Sequence, residues 1–520
     1  MGFGLQEAGE QLGWSILRFL GRHWKPIVTY AWKSGLIFPI IGAAVVGELR
    51  EPWAKILVFV VSWGLCAVTA GWYIKKWLDK KDAPKRAEEA TRNPSMPSEL
   101  APDAPGSVEQ TPGSVVSSGV YFGMSGRNHV VKPENMDGHV LVVGGVGSGK
   151  SSCIAIPTLR TWKSRVFAID IKGELYAQTK DYRPHVKVIN PLSASSFGYD
   201  PYFTLHSSHN KAQEARAIAQ ALIPIPPHVT EPFWLEAARN LLCGAILHFH
   251  AEGRSFYETV FEILSSTHLD LANTIYNSPV PEARFYISSF IGMSDKTLAG
   301  VMAELAQNVV VFVTDPNLIT CLSNPNIITP STLETADIYL QIPEHLLNQW
   351  RNFVTLIINQ FLTYFEQRGE YNDTPILFLL DEFPRLGKIP DILNGLATLR
   401  SKKVTILPII QSLKQLDAIY GANESKIICD LCAYKAILSA SDADTQEYFS
   451  KLIGTYEPLD TTQSAQYDPY THLPQSKGTS TSPREKRIIK PEDFATLADI
   501  VLLNPHNRFC RVGKVPFWRG

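Results

Sequence analysis

The sequence predicts an α/β fold with a mainly parallel sheet, preceded by an N-terminal membrane anchor. Three observations point there. From about residue 139 to residue 440, short β-branched runs alternate with stretches of helical periodicity, the pattern of strands joined by crossover helices. One of these runs, in "ILFLLDEF" (376–383), is apolar throughout and closes on two carboxylates, as a strand covered on both faces does. Within the first 81 residues, two long apolar stretches come before the mixed, charged sequence of a globular body.

Composition sets the scale. The 520 residues are 45% hydrophobic and 19% charged, enough for two or three domains with real cores. A formal net charge of −1 gives the whole molecule no electrostatic case for wrapping nucleic acid, so any such contact is local. The 7 cysteines are scattered without framework spacing, which fits a reducing compartment. Cys429 and Cys432 form a CxxC, but no second pair or nearby histidine completes a zinc site. They read as positions i and i+3 of a buried helix.

Residues 56–74, "ILVFVVSWGLCAVTAGWYI", are uncharged and close to the roughly 20 residues that cross a bilayer as a helix. The stretch 27–47 is weaker because it contains Lys33, which lies near enough to one end to snorkel. The alternative is an interfacial amphipathic helix before a single span. Arg18, Arg22 and Lys25 before the first stretch, and Lys75, Lys76, Lys80 and Lys81 after the second, favour both ends in the cytoplasm. No signal peptide is evident. Residues 1–81 therefore read as a helical hairpin in the membrane. Residues 82–115, proline-rich and poor in apolar side chains, read as a flexible tether.

The chemistry begins in "LVVGGVGSGKSS" (141–152), where Gly144, Gly149, Lys150 and Ser151 fit GxxxxGK[ST]. "HVLVV" (139–143) reads as a strand, Gly144, Gly145, Val146, Gly147, Ser148 and Gly149 as a loop, and Lys150, Ser151 and Ser152 as the opening of a helix. That order aims backbone N–H groups at phosphates, places Lys150 on the β/γ oxygens and offers Mg²⁺ the Ser151 hydroxyl. Asp381 is expected to hold Mg²⁺ through water and Glu382 to polarise the attacking water. Two acids at the carboxyl end of a strand lie where an α/β sheet places its ligand. The alternative is that they cap the next helix. Further strands are expected at 165–170, 186–190, 336–342, 404–411 and 434–440. The run "VTILPIIQ" ends on Gln411, whose carboxamide can sense a γ-phosphate.

Seven stretches in order, "HVLVVGGVGSGKSS", "DIKGELY", "YDPY", "EPFWLEAARNLL", "LFLLDEFPRLGKI", "LATLRSKKVTILPIIQSLKQLDAIYG" and "DADTQEYFSKLIG", resemble the TraG/TraD-like coupling-protein ATPases of type IV secretion and conjugation. The resemblance implies a membrane-anchored homo-hexamer with a RecA-like, FtsK-related P-loop domain that uses ATP and Mg²⁺ and is interrupted by an all-α domain. The nucleotide-binding domain would comprise 116–204 and 326–520, and the all-α domain 205–325. It also implies that Gln411 is the nucleotide-sensing glutamine and that Arg400 reaches into a neighbour's site, where the plainer alternative is a surface arginine beside Lys402 and Lys403. Between Lys211 and Asp315 there are six basic and eleven acidic residues, a poor DNA grip; this suits the resemblance's implication that the domain receives protein substrates or adaptors, and the alternative is an ordinary solvated acidic face. Two features depart from the family pattern: the loop between the two apolar stretches is short, and the phosphate loop opens "GGVGSGK".

The expected function is that of a multi-pass ATPase of the bacterial inner membrane with its ATPase domains in the cytoplasm. It would recruit relaxase or other relaxosome DNA–protein complexes, or effector proteins, to the components of a secretion channel. The alternatives are a nucleotide-gated docking receptor with slow hydrolysis and a segregation-type DNA pump, the latter disfavoured by the more specific segments. If single-stranded DNA passes through the ring, basic groups must track its phosphates. The candidates are Lys172, Arg385, Lys388, Arg400, Lys402, Lys403, the run "PREKR" (483–487), Lys490, Arg508, Arg511 and Lys514. The polar segment 457–485 reads as a mobile loop.

Overall fold

The computed structural model describes residues 109–112 and 117–519, apart from 228, 370–373, 468–473, 484 and 506–507. The stretches 27–47 and 56–74, and most of the expected tether, lie outside the described residues. Among the described residues no helix is long and apolar enough to cross a membrane.

A twelve-stranded sheet organises the rest. In chain order its strands are β1 (Glu109–Pro112), β2 (Gly119–Ser125), β3 (Asn128–Pro133), β4 (Val140–Val143), β5 (Arg165–Asp170) and β6 (Val186–Ile189), followed by β7 (Asp337–Gln341), β8 (Ile376–Leu380), β9 (Val404–Ile410), β10 (Tyr434–Ile437), β11 (Asp499–Leu503) and β12 (Phe509–Gly513). Across the sheet they lie in the order β1-β3-β2-β12-β11-β10-β4-β9-β8-β5-β7-β6. From β10 to β6 every neighbouring pair is parallel. From β10 to β1 every pair is antiparallel. The sheet is thus mixed rather than mainly parallel, and the reason is connection length. β2 joins β3 through Gly126-Arg127, with Gly126 at φ 61°, and a turn that tight can only reverse the chain.

Two other expectations are corrected. Glu109–Pro112, inside the stretch read as a tether, pairs antiparallel with β3 as an edge strand. Pro112 is tolerated there because an edge leaves one side of the ladder unpaired. Leu459–Tyr467 and Pro474–Pro483, inside the stretch read as a mobile loop, form an antiparallel two-stranded ladder. Polarity misled there: threonine is β-branched and suits a strand whether or not the strand is buried.

The helices include α1 (Ile156–Thr161), which continues the wide turns of Lys150–Ala155, then α2 (Lys211–Leu222), α3 (Phe233–Ala251), α4 (Phe256–Ser265), α5 (His268–Tyr276), α6 (Pro281–Ile287), α7 (Asp295–Val309), α8 (Pro316–Leu322), α9 (Arg351–Glu366), α10 (Leu413–Leu431) and α11 (Ala443–Ile453). Their starts are written in the sequence. The side chains of Asn210, Ser255, Thr267, Ser294 and Asp315 each accept a hydrogen bond from a backbone N–H of the first turn of α2, α4, α5, α7 and α8. Ser255 and Glu258 close a full capping box. α3 is the hub of this helical stretch, with Leu241, Leu242, Cys243, Ile246 and Phe249 all buried.

The chain enters the helical stretch at Gly198–Tyr199 and leaves it at Ile327–Ile328, and these two short strands pair in parallel. A Cβ on Gly198 would fall 2.6 Å from both the Asn324 Cβ and the Cys321 carbonyl oxygen, so only glycine lets the two crossings close. A single core runs from the sheet residues Phe167 and Phe378 through Phe353 and Phe361 of α9 to Leu241 and Ile246 of α3. The opposite sheet face packs Val142, Leu379 and Leu407 against Leu159 of α1. Cys429 lies within α10 and Cys432 just past its end, both buried, and burial pushes the Cys429 thiol up to about 12.

Candidate nucleotide-binding site

β4, β9 and β8 are adjacent and parallel, so their carboxyl ends open on one edge of the sheet. The glycine loop leaves β4 there. Gly144 N–H donates to the Ile410 carbonyl of β9 at 3.1 Å, and Gly145 N–H donates to Ser439 Oγ at 3.0 Å. Gly147 (φ 73°) and Gly149 (φ 99°) occupy left-handed backbone, which folds the loop over the helix start. A Cβ on Gly144 would lie 2.3 Å from Ser148 Oγ. Val146 at the loop tip is 90% exposed, whereas the Ser148 hydroxyl is buried and has no hydrogen-bond partner among the described residues. A buried hydroxyl without a partner, in a loop that leads into a helix start, can donate to a polyanion ligand.

Lys150 is buried and donates to its own loop, to the carbonyls of Gly144 (2.8 Å) and Gly145 (3.2 Å). Burial lowers its pKa, while the nearby charges of Glu382 and Asp381 act in the opposite sense. Ser151 and Ser152 follow at the helix opening, half-buried.

The acids stand at the end of β8. Asp381 Oδ1 accepts the Glu382 N–H at 3.0 Å. Burial, and then the Glu382 charge, raise the Asp381 pKa to about 6. Glu382 itself adopts φ 50°, a left-handed conformation uncommon for a residue with a side chain. It makes no side-chain cap to the turn that follows, so the capping alternative fails for it. Instead Glu382 Oε2 accepts a 2.8 Å hydrogen bond from Nε2 of Gln411, the residue after β9. Gln415 Nε2 reaches Gln411 Oε1 at 3.4 Å. Lys150, Asp381, Glu382 and Gln411 thus meet at one sheet edge, although they are spread over more than 260 positions of the chain.

Lys172, expected on a DNA path, stands at this edge as well, and its charge acts on Lys150 and Asp381. The turn that carries it is fixed by Asp170, whose carboxylate accepts from Leu175 N–H (3.3 Å), Tyr176 N–H (2.9 Å) and Gln341 Nε2 (3.2 Å). Most of the other basic candidates have partners within the chain. Arg385 pairs with Glu344, Lys388 with Glu424, Lys403 with Asp137, Arg487 with Glu447 and Arg511 with Asp499. Lys402 donates to the Glu366 and Arg368 carbonyls, and Lys514 to those of Leu438 and Leu497.

Arg400 is not brought to this site. It is exposed, in the turn Leu399–Lys402 at the amino end of β9, and makes no hydrogen bond or ion pair among the described residues. β9 spans seven residues, Val404–Ile410, and at about 3.3 Å each this sets Arg400 roughly 20 Å from the glycine loop of its own chain.

Sequence reading missed two residues that set the geometry. Ser439, just past β10, accepts from the loop at Gly145. His139, fully buried at the amino end of β4, bridges Leu396 and Ile406. A lone serine and a lone histidine carry no spacing signal.

Residues 101–507 match the family model described as type IV secretory system conjugative DNA transfer. Similar curated proteins include protein VirD4 of Agrobacterium fabrum, 26% identical over 386 residues that cover 71% of this chain and 57% of VirD4. Conjugal transfer protein TraG of Escherichia coli is 24% identical over 422 residues, covering 73% of this chain and 64% of TraG. The chain spans about half the length of the VirD4 proteins it matches, between 48% and 57%. Among solved structures, the plasmid coupling protein TrwB in complex with the ATP analogue ADPNP superposes with a TM-score of 0.61 at 17% identity, covering 74% of this chain and 87% of TrwB. TrwB with ADP and Mg²⁺ gives a TM-score of 0.59 at 18% identity, covering 73% and 85%. These structures share the fold. With the family model spanning most of its length, the chain belongs to the type IV secretory system conjugative DNA transfer family.

Proposed function

We propose that this chain is an ATP-hydrolysing coupling protein of a type IV secretion or conjugation system. The observation that carries the reading is the meeting of Lys150, Asp381 and the Glu382–Gln411 pair at the carboxyl edge of three adjacent parallel strands. Loop N–H groups and Lys150 would hold the β- and γ-phosphates, and Ser151 and Asp381 would hold Mg²⁺. The metal supplies charge neutralisation on the phosphates. Glu382 would orient and polarise the attacking water, with its carboxylate positioned by Gln411. That TrwB has been solved with ADPNP and with ADP and Mg²⁺ supports this choice of ligand. Arg400, too far from its own loop, would complete the site of a neighbouring subunit, which makes catalysis a property of a homo-hexameric ring.

In this reading 116–204 and 326–520 form the motor and 205–325 the domain that receives cargo. The stretches 27–47 and 56–74 would anchor the ring in the bacterial inner membrane, with the motor in the cytoplasm. The partners are relaxase or other relaxosome proteins with single-stranded DNA, effector proteins, and the components of the secretion channel. The second reading is a docking receptor with slow hydrolysis, which measurement of phosphate release separates from the motor.

The test is phosphate release by the purified full chain, with and without single-stranded DNA, beside Lys150→Ala. A wild type that assembles into rings on DNA yet hydrolyses ATP no faster than Lys150→Ala would remove the motor reading and leave the docking receptor.

A further inference from the structure

The last residues of the described chain cross the nucleotide site, and neither the motifs nor the family assignment gives them a task. β12 ends at Gly513, and the Lys514 ammonium fixes the next step by donating to the Leu438 (2.9 Å) and Leu497 (2.8 Å) carbonyls. Phe517 N–H then donates to the carbonyl of Ser152 at 2.9 Å, in the first turn after the glycine loop. Arg160 clamps the same residue from the other side. Its Nη1 donates to the Phe517 carbonyl at 3.2 Å, and its guanidinium lies 4.8 Å from the centre of the Phe517 ring.

The consequence falls on the next residue. On the nucleotide reading Lys150, beside Asp381 and Glu382, would reach the β/γ end of a bound triphosphate. The α-phosphate and its nucleoside therefore leave the cradle on the side away from the acids, past Ser152. The segment that meets them there is 517–518. Phe517 is half-buried and held by Arg160, whereas Trp518 is 63% exposed, in edge contact with Phe517 at 5.0 Å. A large indole left open to water beside a phosphate cradle has a face to offer a planar ring.

We infer that Trp518, placed by the Phe517–Ser152 latch, is the stacking platform for the nucleobase of the bound nucleoside triphosphate. This rests on the nucleotide reading of the glycine loop. Stacking reads a π-face and not a hydrogen-bond edge, so the platform accepts adenine and guanine alike.

The experiment is calorimetric titration of the full chain with ATP, GTP and inorganic tripolyphosphate, comparing wild type with Trp518→Ala, Trp518→Phe and Lys150→Ala. Trp518→Ala should raise Kd for ATP and GTP by the same factor, about 5- to 150-fold, the range that removing a base-stacking aromatic spans. Tripolyphosphate, which has no base, should bind Trp518→Ala as it binds wild type, and Trp518→Phe should keep most of the nucleotide affinity. Unchanged ATP and GTP binding by Trp518→Ala, while Lys150→Ala loses all three ligands, overturns the platform and leaves the nucleotide site standing. Equal loss of tripolyphosphate and ATP in Trp518→Ala also overturns it, since the defect then lies in the loop. A wild type that binds none of the three overturns the nucleotide reading and this inference with it.

Discussion

Mixing two inactive variants should restore hydrolysis that neither shows alone. In the proposed motor Lys150→Ala removes the ammonium that would hold the phosphates, so rings of that variant would have no competent cradle. Arg400→Ala leaves every cradle intact but removes the one exposed basic group of β9's amino end that has no hydrogen bond or ion pair among the described residues. The seven residues of β9 hold Arg400 roughly 20 Å from its own loop, longer than any side chain, so in the proposed ring it would act on a neighbour's site. A finger given in trans is worth about 10³ to 10⁵ in rate for related phosphoryl transfers, and rings made only of Arg400→Ala should be slower by that order. In mixed rings an interface is competent when a live loop from Arg400→Ala faces a live arginine from Lys150→Ala. If subunits mix at random and sites act independently, that happens at about a quarter of the interfaces of an equimolar mixture. Phosphate release measured against mixing ratio should therefore trace a parabola that peaks near one half, at about a quarter of the wild-type rate. Two results would refute the reasoning: Arg400→Ala rings as fast as wild type, or a flat mixing curve while sizing shows that mixed rings form.

Three further outcomes follow from the same geometry. Asp381 has its pKa raised from 3.8 to about 6, so the native fold favours its protonated form; the stability this gives at low pH is lost as pH rises through about 6. Asp381→Asn should therefore stabilise the nucleotide-free chain at pH 8 by on the order of 3 kcal/mol and not at pH 4, and equal melting shifts at both pH values would contradict the burial argument. Glu382→Gln should keep nucleotide affinity while hydrolysis falls about 10² to 10⁴-fold, the usual worth of a general base; loss of binding in calorimetry would assign Glu382 to the cradle instead. His139 must accept the Ile406 N–H at Nδ1 and donate from Nε2 to the Leu396 carbonyl, so it is neutral, and burial lowers its pKa to about 3. Because the unfolded value is 6.5, its stabilising contribution, present above pH 6.5, is lost towards pH 3 at about 1.4 kcal/mol per unit. His139→Leu should flatten that part of the acid-unfolding curve, and a variant with the wild-type slope would show that some other group sets it.

How much of this was legible in the sequence depended on what covers each segment. β4, β5, β8 and β9 are buried along nearly their whole length, so they read as unbroken apolar runs and were placed within a residue or two. β2, with its bulge near Gly123, and β12 carry no such run and escaped notice, whereas β11 carries one at Ile500–Leu503 and was missed all the same. Lys150, Asp381 and Glu382 announce themselves because phosphate chemistry fixes residue types at fixed places around a strand end. What spacing cannot show is contact between distant segments. Ser439 on the loop, His139 under Leu396 and Phe517 against Ser152 each join positions remote in the chain through a single polar bond. The Gln411–Glu382 bond lies between these cases, since each residue was singled out for its place at a strand end while their pairing appears only once β8 and β9 lie side by side.

The paired crossings at Gly198–Tyr199 and Ile327–Ile328 bear on how such a chain can change over time. Because the helical stretch is entered and left at one place, the two halves of the sheet are already joined whatever lies between them. Loop closure depends only weakly on the length of what is inserted between fixed ends. The stretch can therefore gain or lose turns and shift its charge while the strand order around Lys150 stays as it is. The helical stretch is free to diversify, and the strand ends around the glycine loop are not.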